Sequence, residues 1–128
     1  MMPVFYPGPQ WKIFNKDKQS VLAQKAEVAD SFLSRLCGLI PRKELRSEEG
    51  LIITRCNSIH MLFMRFAIDA VFVDKNHIVV GVVKNIHPYR FSRMFWSASY
   101  CIEVPPGTID ATRTEPQDCL EFFVQKSS

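Results

Sequence analysis

No two of the four cysteines, Cys37, Cys56, Cys101 and Cys119, stand in a C-x-x-C pair. Zinc sites and redox dithiols are built on such close spacing, so neither is indicated, and no metal is expected. The three histidines, His60, His77 and His87, form no H-x-H or H-E-x-x-H, which removes the usual signatures of a β-sheet or helical metalloenzyme. No run approaches the roughly eighteen apolar residues of a membrane span. The opening residues, Met-Met-Pro-Val-Phe-Tyr-Pro-Gly-Pro, have neither a basic segment nor a signal-type apolar stretch, which makes the cytoplasm, with reduced thiols, the expected location. There is no G-x-S-x-G elbow, no internal repeat and no low-complexity tract. Charge of one sign does not dominate either. Sixteen basic and 13 acidic residues leave a net charge of +3, without the clustered Lys/Arg that nucleic-acid binders usually carry.

What the chain does have is enough apolar matter for one core. At 128 residues and 47% hydrophobic content it fits a single domain, expected over 11–124, between a loosely held segment 1–10 and a short tail 125–128. Period-two patterns and turn residues predict strands at 11–14, 21–28, 51–54, 58–66, 70–73, 78–86, 100–104 and 120–124. Asp74-Lys75-Asn76-His77 reads as a hairpin turn in which Asn takes left-handed geometry. Gly81 suggests a bulge in the returning strand. Glu115-Pro116-Gln117-Asp118 reads as a type I turn, and Thr108 to Thr112 as one helical turn. The principal helix is expected from Asp30 to about Leu39, where Phe32, Leu33, Leu36 and Leu39 share a stripe and Pro41 sets the limit. The fold expected is therefore mainly β with one principal helix, a β-sandwich or jelly-roll-like arrangement or a small, partly open barrel.

Chemistry-bearing residues concentrate between Cys56 and Asp74. On a regular strand Ser58, His60 and Met64 would share one face, polar at one end and apolar further in, which is the composition of a pocket lip. Arg65 offers a planar fork for a carboxylate, either that of nearby Asp69 or that of a ligand. The stretch 87–97 breaks the strand pattern and mixes Tyr89, Phe91, Phe95 and Trp96 with Arg90 and Arg93, a composition that can stack on bases or anchor a protein partner. The candidate contact residues are thus Ser58, His60, Met64, Arg65, Asp69, Asp74, Arg90 and Trp96.

The run Cys56-Asn57-Ser58-Ile59-His60-Met61-Leu62-Phe63-Met64-Arg65-Phe66-Ala67-Ile68-Asp69-Ala70-Val71-Phe72-Val73-Asp74, preceded by Gly50-Leu51-Ile52-Ile53, resembles the domain of unknown function 192 family of bacteria and archaea. Arg35-Leu36-Cys37-Gly38-Leu39, Ile102-Glu103-Val104-Pro105-Pro106-Gly107 and Gln117-Asp118-Cys119-Leu120 extend the likeness from about 29 to 122. The resemblance implies a compact, mainly β domain, sandwich- or jelly-roll-like, and no particular activity. Its typical positions fall on His60, Met64, Arg65, Asp69, Phe72 and Asp74. Ala67 stands where the family often has proline, and Gln117 where it often has glycine.

These readings favour a non-catalytic binding module for a small polar or anionic ligand or a protein partner, with no cofactor and no membrane contact. Two alternatives stand beside it. One is a hydrolase- or lyase-type enzyme using His60 with Asp69 or Asp74. The other, less favoured, is a single-stranded nucleic-acid contact through 87–97.

Overall fold

The computed structural model describes residues 10–29, 46–54, 66–87, 90 and 92–125. The helix expected at 30–39 lies outside these residues, as does the strand expected at 58–66 except for Phe66, which is a bend.

Among the described residues there are seven strands, β1 (Gln10–Asn15), β2 (Ser20–Ala29), β3 (Glu49–Thr54), β4 (Ile68–Val73), β5 (Val79–Ile86), β6 (Tyr100–Val104) and β7 (Leu120–Gln125), with one short helix, α1 (Thr108–Thr112), between the last two. All seven belong to one sheet in the order β5-β4-β6-β3-β2-β1-β7. The protein is mainly β, as its alternating pattern implies. A single open sheet is observed, where the sequence left a sandwich or jelly-roll-like arrangement and a small, partly open barrel as alternatives. Its edge strands touch at one corner, where Ile78 bridges Cys119, the Val79 N–H donates to the Asp118 carbonyl and the Leu120 N–H to that of His77 (2.9 Å each).

Two apolar clusters line the two faces. The inner one draws on every strand and on α1: Ile13, Leu22, Ala26, Ile52, Val71, Val79, Ile102, Ile109 and Leu120 are among its members. The outer one is confined to β3–β6 and what covers them, with Leu51, Ile53, Ile68, Ala70, Phe72, Ile86 and Cys101 joined by Phe95. Strand β4 is consequently buried at every position, its alternate side chains feeding opposite clusters.

Connection lengths follow from strand direction. Tight turns join β1 to β2 and β4 to β5, which pair antiparallel. Strands β2 and β3 are parallel neighbours, an arrangement that needs a crossover of a dozen or more residues. Strands β5 and β6 both run antiparallel to β4, one on each side of it, so the segment joining them must cross over β4.

Local geometry departs from expectation at two turns. The left-handed residue of the Asp74–His77 turn is His77 (φ 65°), not Asn76. Gln117 has φ 84° at the third position of the Glu115–Asp118 turn, which is the signature of type II, not type I. The bulge at Gly81 is present: Phe72 pairs with Gly81 but Val73 with Val79, leaving Val80 extra.

Candidate functional site

Of the candidate contact residues, Ser58, His60, Met64 and Arg65 lie outside the described residues, as do Tyr89 and Phe91 of the aromatic segment. Asp69, Asp74, Arg90 and Trp96 can be placed.

Asp69 is 1% exposed, near the start of β4. Its carboxylate accepts the backbone N–H of Asn85 (2.8 Å), Gly107 (3.1 Å) and Ile109 (2.9 Å). Asn85 and Gly107 both have positive φ, 55° and 93°. The Asp69 side chain therefore holds the twisted end of β5 against the first turn of α1. It supplies from another strand the cap that Gly107 cannot give, since that residue makes no side-chain cap bond. Asp74, at the far end of the same strand, accepts the N–H of Asn76 (2.8 Å) and of Ile78 (3.0 Å) and shapes its own turn. Five residue steps of extended chain separate the two acids by roughly 16 Å. They serve different ends of the sheet and do not converge on one site.

The segment after β5 crosses the outer face in the way the topology demands. Phe95 is its anchor. The ring is 9% exposed and stacks on Phe72 of β4, centroids 4.5 Å apart and planes at 26°. It occupies the space a side chain would take at position 81, so only glycine leaves room for it. The Ser99 N–H then donates to the Val73 carbonyl (2.8 Å), and that of Ala98 to the Phe95 carbonyl (2.9 Å). Between these fixed points Trp96 projects, 81% exposed, with Met94 at 39%. Arg93 lays its guanidinium over the Phe95 ring at 4.8 Å, and Arg90 is exposed nearby in sequence. Of the loop's described aromatics, Phe95 is buried as a foot and Trp96 is displayed.

Two further clusters escape a sequence reading. At the closed corner, the Tyr100 hydroxyl lies 2.8 Å from His77 Nδ1, and the rings of His77, Tyr100 and Phe122 are mutually 5.1–5.9 Å apart. Burial, helped by the charges of Asp74 and Cys119, pushes the Tyr100 hydroxyl far above the usual tyrosine range and keeps it protonated. Beside the same corner, buried Asn15 donates to Asp118 Oδ2 (2.9 Å) and to Thr114 Oγ1 (3.1 Å). Lys18 Nζ reaches Asp118 (2.8 Å) and Glu115 (2.6 Å). Burial alone would raise the Asp118 carboxyl. Hydrogen bonds from Asn15, Lys18 and the Glu115 amide outweigh it and hold the group below the ordinary carboxylate range. The only sequence signal for either cluster is long-range pairing, which one sequence does not display. Among the described residues no three His, Cys, Asp or Glu side chains gather closely enough to hold a metal ion, and no helix is long and apolar enough to cross a membrane.

The chain is similar to several proteins. It is 35% identical over 118 residues to a UPF0127 protein of Thermococcus sibiricus, covering 89% of this chain and 76% of that one. It is 36% identical over 114 residues to a UPF0127 protein of Pyrococcus furiosus, covering 86% and 97%. Among solved structures, a Sinorhizobium meliloti protein provisionally assigned as a transcription regulator superposes with a TM-score of 0.78 at 20% identity, over 94% of this chain and 98% of that one. A protein of unknown function from Novosphingobium aromaticivorans gives 0.75 at 23% identity, over 88% and 83%. At such identities these two show a shared fold. The model of the DUF192 family, whose description is "Uncharacterized ACR", matches residues 13–122, and the chain belongs to that family.

Proposed function

We propose that the protein is a non-catalytic binding module, and that the segment 90–97 is its contact surface for an acidic protein partner. One observation carries the reading: Trp96 is 81% exposed while its neighbour Phe95 is locked into the sheet. Leaving an indole in water forgoes the stabilisation that burial gives, and a mobile loop would lose entropy on docking. A loop already pinned at Phe95 and Ser99 presents the ring at little ordering cost. Tryptophan and arginine are the residues that most often dominate interface energetics, and Arg90 and Arg93 precede this one in the same segment. A convex ring suits a groove on a macromolecule better than it suits a small ligand, which needs a concave site. The proposal keeps the cytoplasmic location expected from the sequence.

The enzyme alternative gains no support from Asp69, both of whose oxygens are engaged by backbone amides, or from Asp74, whose Oδ1 accepts two amides of its own turn. Contact with single-stranded nucleic acid is supported by the same exposed indole and arginines, and a direct oligonucleotide-binding assay separates the two readings. Binding to an oligonucleotide should fall steeply between low and physiological salt.

A photo-crosslinking residue at position 96, in the native cells, tests the proposal. A discrete protein adduct is expected, lost in the Arg90→Glu/Arg93→Glu variant and absent when the crosslinker sits at exposed Lys75. Equal, diffuse labelling from positions 96 and 75 would dismiss the reading.

A further inference from the structure

The two edges of the sheet are defended unequally. Edge β5 carries a bulge at Val80, a second register shift between Ile68 and Ala70, a left-handed Asn85 and an exposed Lys84. These are the devices that keep an open strand from pairing with a foreign one. Edge β7 has none of them. It runs in unbroken register against β1 from Leu120 to Gln125, contains no proline, lysine or glycine, and exposes Phe123 (49%) and Val124 (57%).

The direction of its backbone groups can be read from its bonds. The Lys16 N–H donates to the Cys119 carbonyl on the β1 side, whereas the Leu120 N–H donates to His77 on the other. Alternation then turns the odd-numbered residues toward β1 and points the N–H and C=O of Phe122 and Val124 outward. Among the described residues, nothing bonds to those outward groups.

We infer that β7 is a self-association edge, and that its occupant is β7 of a second copy of this chain, running antiparallel across a two-fold axis. Self-complementarity selects that occupant. With the axis at Phe123, the open groups of Phe122 face those of Val124 in the second copy, and each such pair exchanges both N–H···O bonds. The side chains then oppose each other as Phe122 with Val124, Phe123 with Phe123, and Glu121 with Gln125. The one charge in the strand meets an amide and never its own kind. Centring the pairing on Phe122 instead would require the Leu120 N–H, which His77 already holds. The two exposed apolar side chains of the strand are the ones covered, and the assembly becomes one continuous sheet across two subunits. This inference does not rest on the reading of the 90–97 loop.

The interface is one strand wide, so the dimer is a weak, concentration-dependent one. Sedimentation equilibrium of the full chain from roughly 1 to 200 µM should show the mass rising from one chain toward two. Val124→Pro removes an N–H that β1 does not use, and Phe123→Lys sets two cations against each other on the axis. Each should raise the dissociation constant roughly tenfold or more, with the melting curve of the monomer retained. Should Val124→Pro fail to fold, Phe123→Lys decides alone. A wild-type chain that stays monomeric throughout, or a dimer untouched by the folded variants, would overturn the inference.

Discussion

Asp69 carries a charge into a place where burial opposes charge, and three backbone amides repay that opposition. Removing the side chain leaves the buried Ile109 amide without an acceptor, at about 1–3 kcal/mol, and takes the acceptor from the part-buried amides of Asn85 and Gly107 as well. Asp69→Ala is therefore expected to lose about 2 kcal/mol or more, measured by denaturant unfolding. Asp69→Asn, which keeps one acceptor oxygen, should lose less. An Asp69→Ala protein as stable as the wild type would show that the three amides find other acceptors. Residue identity announced Asp69 as important, but not why. A carboxylate four residues from Arg65 suggests an ion pair or a ligand, because sequence shows neighbours along the chain. Gly107 and Ile109 lie 38 and 40 residues away.

Among the elements, the crossover from β5 to β6 depends on one missing side chain. A methyl group at position 81 would overlap the Phe95 ring edge. Gly81→Ala should expel Phe95 from its stack on Phe72, costing about 2–4 kcal/mol in thermal or chemical unfolding. In a Trp11→Phe background it should also change the fluorescence anisotropy of Trp96, since the foot of its loop is freed. Unchanged stability together with unchanged anisotropy would mean that the anchor lies elsewhere. Strands were legible because β-branched alternation and turn residues are local: 51–54, 70–73 and 100–104 stand within the observed bounds. The bulge at Gly81 was legible for the same reason. Turn handedness was less so, because Asn76 accepts left-handed geometry in general while here the following residue, His77, adopts it. The division of labour between Phe95 and Trp96 was illegible, since both are aromatics in one polar stretch. Only the notch at Gly81, opposite Phe72, decides which ring goes in.

For the molecule as a whole, the Asn15–Lys18–Asp118 network ties the β1–β2 turn to the segment that precedes β7, beside the corner where the edges meet. Its pH dependence has a definite sign. A carboxyl whose folded pKa is depressed adds stability that is present above the unfolded value, near 3.9, and is lost as pH falls through the folded value. The wild type should thus lose more melting temperature than Asp118→Asn as pH falls below about 4, while being the more stable of the two at neutrality. Parallel acid profiles for the two proteins would exclude Asp118 as a source of acid sensitivity. Sequence indicated a turn at Glu115–Asp118 but not its partners, since Asn15 lies 103 residues from Asp118.

The parallel neighbours β2 and β3, and the like-directed β5 and β6 on either side of β4, bear on how fast the chain reaches this state. Neither arrangement is reachable by zipping outward from a tight turn, so sizeable loops must close before either yields a contact. Refolding is accordingly expected on the millisecond-to-second scale of domains rich in non-local pairing, with the β4–β5 hairpin in place before the crossovers settle.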